Sequence, residues 1–277
     1  MPEIGKKNKL TVVKRVDFGM YLDGGELGEV LIPNRYVPIG CKPDDELEVF
    51  LYLDSDDRPI ATTEEPYAEV GKCAHLKVVS TSDFGAFMNW GVMKDLLVPF
   101  KEQRSPMHEG RSYTVFLFID SSGRIAGSSK LSAHLKEEDD GQSFAEGQAV
   151  NLLVASRSDM GYKVVIEDTH LGLIHHGDLL SKIYVGDKLE GYIKSIREDG
   201  RIDVTLQPVG EEGRDMLAND IIDFIKAEGG SSDITDKSSP DAIYKAFGVS
   251  KSSYKKALGK LYKQKKILIE KDYVKLV

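Results

Sequence analysis

Two segments of the chain repeat a set of side chains suited to binding a flat, charged ligand. Each has two aromatic residues around a glycine, followed by an aspartate and an arginine four residues apart. In the first segment these are Phe18, Tyr21, Asp54 and Arg58, and in the second they are Phe84, Phe87, Asp120 and Arg124. Aromatic rings stack on nucleobases with little sequence preference. Arginine contacts phosphates or stacks, and aspartate accepts hydrogen bonds from a base edge or holds the arginine in place.

The alternative is that these aromatic residues are core residues, as they often are in small barrels. A purely structural barrel needs apolar residues at alternate strand positions and glycines at its turns. It does not need an aspartate and an arginine at constant spacing. The constant spacing therefore favours a surface site, most strongly in the second segment.

The spacing extends to a third segment, so the chain contains an internal repeat. Fourteen residues after the central glycine stands Pro33, Pro99 or His175, and an arginine follows 25, 25 or 26 residues later. In the third copy the matching positions hold a mixed set of side chains. These are Met160, Lys163, His175, Arg197 and Arg201. Because this copy lacks the aromatic pair, we expect it to meet phosphates rather than to stack on bases.

Each repeat has the pattern of a small antiparallel barrel. Short β-rich runs alternate with glycine and aspartate turns, and long helical patterns are absent. In the second repeat the predicted strands cover residues 74–79, 86–89, 96–98, 113–119 and 124–128. This length and strand number predict three tandem five-stranded barrels of the OB type. The aromatic pair then lies at the bend between the first two strands, and the aspartate and arginine lie on the last hairpin.

The pattern changes to helices after Gly210. Apolar residues at helical spacing end at the Gly229-Gly230 pair, and Ser239-Pro240 is typical of the start of a second helix. Ser250 is expected to cap a third helix to about Lys263, which is rich in lysine. Its candidate binding residues are Lys251, Lys255, Lys256, Lys260 and Lys263. A β-hairpin at the C-terminus completes a predicted winged helix, so the fold class is mainly β with a C-terminal α+β domain.

The net charge of −8 argues against a nucleic-acid binder, which normally shows a basic surface. The charge is unevenly distributed, however. Residues 245–275 contain ten lysines and two acidic residues. The second repeat is also slightly basic, whereas the first is acidic. A solvated lysine face or a protein-docking module remains the alternative for the C-terminal domain.

The repeated residues resemble the RNA-contacting surface of the S1 domain, which consists of two aromatics, a histidine, an aspartate and an arginine. The first two repeats match at four positions and have proline in place of the histidine, which implies lower specificity. The order of three S1-like units and a winged helix resembles the bacterial conserved virulence factor B (CvfB/YitL) family. The resemblance implies single-stranded RNA binding and regulation of gene expression, without catalysis.

We therefore predict S1-like domains over residues 1–66, 67–133 and 144–210 and a winged helix over 211–277. The main hypothesis is a cytoplasmic, non-catalytic post-transcriptional regulator that binds single-stranded RNA. One alternative is a DNA-binding transcriptional regulator that acts through the winged helix. Another is a scaffold that docks onto ribosomes or the RNA-degradation machinery, with protein partners in RNA metabolism. The acidic segment 137–141 is interpreted as a solvated linker.

Several kinds of site are not expected. The sequence has no glycine-rich phosphate loop, paired-carboxylate motif or nucleophile elbow, so we expect neither an enzyme nor a cofactor. The histidines near residue 175 lack thiolate or helical partners, so a metal site is not expected. Cys41 and Cys73 are interpreted as small buried residues. Met1 to Leu10 is polar, so we expect no signal peptide, and no apolar run is long enough to span a membrane.

Overall fold

The computed structural model describes the backbone from Met1 to Val277 and every side chain except those of residues 211 and 212. It contains three closed five-stranded barrels, followed by three helices and a small sheet. The chain separates into two compact units, Met1–Lys136 and Glu137–Val277. The first unit holds two barrels, and the second holds the third barrel and the helical domain. The predicted fold class is confirmed. The four domain ranges remain a prediction.

Buried and exposed side chains alternate along parts of the first barrel's strands, as in a one-sided sheet, whereas residues 49–52 are all buried. The strands are β1 (Lys7–Val16), β2 (Gly19–Asp23), β3 (Glu29–Pro33), β4 (Glu46–Leu53) and β5 (Pro59–Thr62). Their order around the barrel is β1-β2-β3-β5-β4. The β3–β5 pair is parallel and the other pairs are antiparallel. Apolar side chains that point inward, such as Val12, Met20 and Ile32, form the core.

The second barrel repeats this arrangement. Its strands are β6 (Cys73–Ser82), β7 (Gly85–Asn89), β8 (Leu96–Pro99), β9 (Ser112–Ile119) and β10 (Ile125–Ser128). The third barrel is built from β11 (Ala149–Arg157), β12 (Gly161–Ile166), β13 (His170–His175), β14 (Lys188–Ile196) and β15 (Ile202–Thr205). Both are closed barrels in which the third and fifth strands pair in parallel. The three barrels therefore share one topology.

The constant fourteen-residue spacing has a direct structural cause. In each barrel the glycine that opens the second strand pairs with the residue that ends the third, as Gly19 does with Pro33, and Gly85 does with Pro99. The strands approach closely there: a Cβ atom on Gly85 would lie 2.2 Å from the carbonyl oxygen of Val98. Only glycine fits without moving the neighbouring strand. The glycine thus fixes the bend that carries the aromatic pair.

The first two barrels pack against each other through aromatic side chains. Trp90, which follows β7, is 3% exposed, and its ring contacts Phe50 of β4 edge-on at a centroid distance of 5.5 Å. Tyr52, which like Phe50 lies on β4 of the first barrel, belongs to the same buried cluster as Trp90. Burial raises the pKa of the Tyr52 hydroxyl to about 12. The hydrophobic core of the second barrel therefore extends to Phe50 and Tyr52 of the first barrel.

The C-terminal domain has the predicted helices. They are α1 (Gly210–Ala227), α2 (Pro240–Phe247) and α3 (Lys251–Lys263). The hydroxyl of Ser239 accepts a hydrogen bond from the backbone N–H of Ala242, and that of Ser250 accepts one from Ser253, so both predicted caps are present. The core packs α1 and α3 together around the buried Tyr254.

The sheet of this domain has one strand more than predicted. The expected hairpin consists of β17 (Ile267–Ile269) and β18 (Val274–Leu276), and β16 (Ser231–Ser232) pairs with the outer side of β18. A strand of two serines has no apolar pattern that sequence reasoning could detect. In the part of the chain that the structure describes, no helix is long and apolar enough to cross a membrane.

The interpretation of segment 137–141 as a wholly solvated linker is wrong at Asp139. This residue is 5% exposed, and its carboxylate accepts hydrogen bonds from the backbone N–H groups of Ser143 and Phe144. Burial acts to raise the pKa of Asp139, but these hydrogen bonds outweigh it and lower the pKa. Asp139 therefore anchors the segment that precedes the third barrel.

Candidate nucleic-acid interface

The aromatic pair of the second repeat lies at a barrel surface. Phe84 occupies the turn between β6 and β7 and is 74% exposed, and its backbone N–H donates a hydrogen bond to the hydroxyl of Ser82. Phe87 lies on β7 and is half-buried. Neither ring is enclosed in the core. This repeat therefore offers one fully accessible ring and one partly accessible ring.

The aspartate and arginine of this repeat take different roles. The carboxylate of Asp120 accepts hydrogen bonds from Ser122 and from the backbone N–H of Arg124, and so shapes the hairpin turn. The Arg124 guanidinium does not bind Asp120. It forms two hydrogen bonds with Asp57 of the first repeat, one of them 2.8 Å long. Of the two roles considered for Asp120, that of holding the arginine side chain falls in this repeat to Asp57, a carboxylate from the neighbouring repeat.

These residues converge on one groove of about 440 Å³ within the first unit. The groove brings together all four predicted residues of the second repeat, namely Phe84, Phe87, Asp120 and Arg124. It is also lined by residues that the repeat pattern did not indicate. The most relevant are Tyr52, Asp57, Trp90, Lys94 and Asp95.

The first repeat shows the pairing that its spacing predicts. The rings of Phe18 and Tyr21 meet edge-on at 6.3 Å, and Phe18 is 57% exposed. The ammonium of Lys14 lies 5.0 Å from the centre of the Tyr21 ring. The Arg58 guanidinium binds the Asp54 carboxylate at 2.9 Å. This hydrogen bond raises the pKa of Arg58 above its usual value. The aspartate holds the arginine here.

The third repeat contains a cluster that the spacing only partly predicted. Arg197 contacts both oxygens of Asp203, at 2.6 and 2.9 Å, and His175 lies 2.9 Å from the same carboxylate. Asp203 was missed. It stands two residues after Arg201, where the other repeats have the apolar Ile60 and Ala126. An acidic residue at a position that is apolar in the other two repeats could have indicated its role from the sequence. The charge of Arg197 is thus largely satisfied within the protein.

The remaining predicted residues of this repeat are accessible. Met160, Lys163 and Arg201 are exposed, and the Arg201 guanidinium lies 3.7 Å from the Asp199 carboxylate. They line a groove of about 380 Å³ together with Arg197 and Asp203. This surface has cations but no ring to stack on a base.

We predict that Asp203→Asn destabilises the third barrel by roughly 1–3 kcal/mol at pH 7, because Arg197 and His175 lose the carboxylate that they contact. Burial acts to raise the pKa of Asp203, but hydrogen bonds from Arg197 and His175 outweigh it and lower the pKa below 3.8. The carboxylate therefore stabilises the fold above that value and loses its effect as the pH falls through its folded-state pKa.

Urea unfolding at pH 7 and pH 3 checks this expectation. The difference in the free energy of unfolding between wild type and Asp203→Asn should be smaller at pH 3 than at pH 7. Asp199→Asn is the matched control, since Asp199 is 54% exposed at its side chain and should change stability by less than about 0.5 kcal/mol. If the difference in the free energy of unfolding is equal at the two pH values, the stabilising role of the ionised Asp203 carboxylate is contradicted.

The five predicted lysines of α3 differ in their availability. Lys251 donates hydrogen bonds to the carbonyl groups of Lys237 and Ser238, and Lys260 binds the carboxylate of Asp215. Lys255 lies 3.8 Å from Asp236. Lys256 and Lys263 are exposed, and neither forms an ion pair with a described side chain. The helix therefore presents fewer available cations than its sequence indicates.

Comparison with known proteins agrees with this architecture. A model of the S1 domain matches residues 4–64 and 70–130, which contain the strands of the first two barrels. A model of the CvfB-like winged helix domain matches residues 219–276. The chain therefore contains two S1 domains and a CvfB-like winged helix domain. These domains suggest a nucleic-acid-binding regulator.

Similar proteins cover most of the chain. An uncharacterized protein, YitL, from Bacillus subtilis is 27% identical over 97% of this chain and 92% of its own length. Conserved virulence factor B from Staphylococcus epidermidis is 28% identical over 84% of this chain and 80% of its own length. A crystal structure of a multidomain protein with nucleic acid binding domains from Streptococcus pneumoniae is 21% identical, covers 99% of this chain and 98% of its own, and has a TM-score of 0.42.

Both cysteines of this chain are buried, as predicted. Cys41 belongs to the core of the first barrel, and burial raises the pKa of its thiol. Cys73 opens β6 and is 5% exposed. Among the described side chains, no three or more His, Cys, Asp or Glu residues are grouped as metal ligands.

Proposed function

We propose that this chain binds single-stranded RNA without altering it and acts as a post-transcriptional regulator in the cytoplasm. The observation that carries the proposal is the exposed ring of Phe84 at a groove that also holds Phe87 and Arg124. Surfaces that bind single strands combine exposed aromatic rings, on which bases stack, with nearby cations that contact the backbone. We also propose that the chain divides into three S1-like domains and a winged helix.

Stacking is the main source of affinity in this proposal. A base that leaves its own stack can lie on the free face of Phe84, with the half-buried Phe87 and the groove beneath it. Duplex nucleic acid hides its base faces, so only an unpaired strand gains this contact. Phe18 offers a second exposed ring in the first repeat.

Phosphate contacts supply the remaining affinity. Lys163 and Arg201 are exposed and line the groove of the third repeat. Lys256 and Lys263 add exposed cations on α3. The S1 domains support RNA rather than DNA as the ligand.

Titration of the full chain with single-stranded RNA tests the proposal, with equal-length single-stranded DNA and duplex DNA as competitors. We expect single-stranded RNA to bind best and its affinity to fall as salt rises from 50 to 200 mM, because bound phosphates release counterions. Failure to bind single-stranded RNA at low salt contradicts the proposal.

A second candidate function is duplex DNA binding through the winged helix, favoured by the exposed Lys256 and Lys263 on α3. A clear preference for duplex DNA in the competition supports it. A third is a docking scaffold for protein partners in RNA metabolism, suggested by the net charge of −8. Such docking through apolar surface depends little on salt, so the same titration separates it from phosphate binding.

A further inference from the structure

The ion pair between Arg124 and Asp57 joins the two repeats of the first unit at the candidate groove. Arg124 is the repeated arginine of the second barrel, whereas Asp57 lies on the last hairpin turn of the first. The contact is bidentate, which is also the geometry with which arginine binds a phosphate. The carboxylate therefore occupies the position that a phosphate on this guanidinium would take.

Asp57 holds this position at a cost to its backbone. Its φ angle is 59°, in the left-handed region that favours glycine. The equivalent turn position is Gly123 in the second repeat and Gly200 in the third, with φ angles of 81° and 77°. The first repeat thus has a side chain where its two sister repeats have none. Aspartate tolerates this conformation better than most residues, but it does not prefer it to glycine.

A second contact fixes the turn next to the groove. The ammonium of Lys94, from the second repeat, donates hydrogen bonds to the carbonyl groups of Leu53 and Asp54, at 3.0 and 2.7 Å. These carbonyls stand just before the Asp57 turn in the first repeat. The Asp57 carboxylate is therefore held at the groove wall, close to Phe84 and Arg124, which line the same groove.

We propose that Asp57 is a specificity-determining residue that competes with nucleic-acid phosphates for Arg124 and so makes the groove select unpaired bases. This inference rests on the proposed function, since it concerns the same groove. With Asp57 in place, Arg124 attracts a bare phosphate weakly, and stacking on Phe84 decides what binds. Without it, the guanidinium is free for any phosphate backbone, including that of a duplex that presents no base face.

The test compares the full-chain variants Asp57→Asn and Asp57→Gly with wild type, using a 12-nucleotide single-stranded RNA and a duplex RNA of equal length as probes. Asparagine keeps the shape and tolerates the turn, and glycine copies the sister repeats. We expect both variants to bind the duplex about three to ten times more tightly, so that the preference for the single strand falls. The slope of log affinity against log salt should steepen by about 0.7 to 0.9, the value for one more phosphate contact.

Asp44→Asn is the matched control. Asp44 is an exposed aspartate of the same repeat, with a φ angle of 74°, and it does not line the groove. Its replacement changes the net charge equally and should leave both affinities unchanged. The gain from Asp57→Asn should also disappear in an Arg124→Gln background, because the competition needs the guanidinium.

The outcomes separate this inference from the proposed function. If wild type binds the single strand and Asp57→Asn changes neither affinity, competition at Arg124 is ruled out while RNA binding stands. An equal gain from Asp44→Asn overturns the inference too, since net charge alone then explains it. If neither wild type nor the Asp57 variants bind either probe, both proposals fail.

Discussion

Replacing Phe18 and Phe84 together by alanine is expected to weaken single-stranded RNA binding by roughly 2–6 kcal/mol, that is, about 1–3 kcal/mol for each stacked base. The two rings lie in different repeats, so their effects should add. They are 57% and 74% exposed, and their loss leaves the barrel cores unchanged. The thermal unfolding temperature should therefore stay close to that of wild type. Fluorescence anisotropy with a labelled oligonucleotide measures the affinity.

Tyr184→Ala is the control for this double variant. Tyr184 is 65% exposed in the third repeat, in a loop that we do not assign to the interface. It should change neither affinity nor stability. An unchanged affinity in the double variant removes both rings from the interface, and the proposal then loses its main source of binding free energy. Phe87 is a poorer choice, because its half-buried ring also contributes to packing.

Trp90→Ala is expected to lower the free energy of unfolding of the first unit by roughly 3–5 kcal/mol, the usual cost of deleting a large buried aromatic side chain. The indole is 3% exposed and contacts Phe50 of the other barrel. Its N–H also donates a hydrogen bond to the carbonyl of Lys94. The substitution thus opens a cavity at the junction of the two repeats and removes a support of the groove.

Urea unfolding followed by circular dichroism measures this loss, since Trp90 is the single tryptophan and the variant lacks its fluorescence. Trp90→Phe should lose less, because it keeps a ring beside Phe50 and gives up only the hydrogen bond and part of the volume. A loss below about 1 kcal/mol in Trp90→Ala contradicts the burial of Trp90 against Phe50, because removing a large buried aromatic side chain normally costs several kcal/mol.

The barrels could be predicted from sequence because their repeated spacings correspond to local strand pairing. Gly85 and Pro99 are cross-strand partners, and a hairpin of fixed length keeps their distance along the chain constant. The first strand of each barrel also bulges at the same place, after Val12, Val78 and Val154, seven residues before the glycine. Spacings set by the pairing of neighbouring strands are therefore nearly the same in the three repeats, although most of their side chains differ.

Contacts between repeats could not be predicted in this way. The repeat pattern aligns Arg124 with Arg58 and implies the same partner for both, yet only Arg58 binds the aspartate of its own hairpin. The partner of Arg124 comes from a residue 67 positions away. Such a pairing depends on how two barrels pack, and no periodicity records that packing. The lysines of α3 show the same limit, since Lys260 is paired with Asp215 of another helix.

Closure of the barrels also affects how copies of the chain behave when they are crowded together. A closed barrel satisfies its strand ladders internally and leaves no open row of backbone donors and acceptors for a second molecule. In the described chain the open sheet is that of the C-terminal domain, whose outer strands have only two and three residues. Edges this short are poor templates for intermolecular strand pairing. Copies of the chain at high concentration therefore have few described strand edges through which to form β-aggregates.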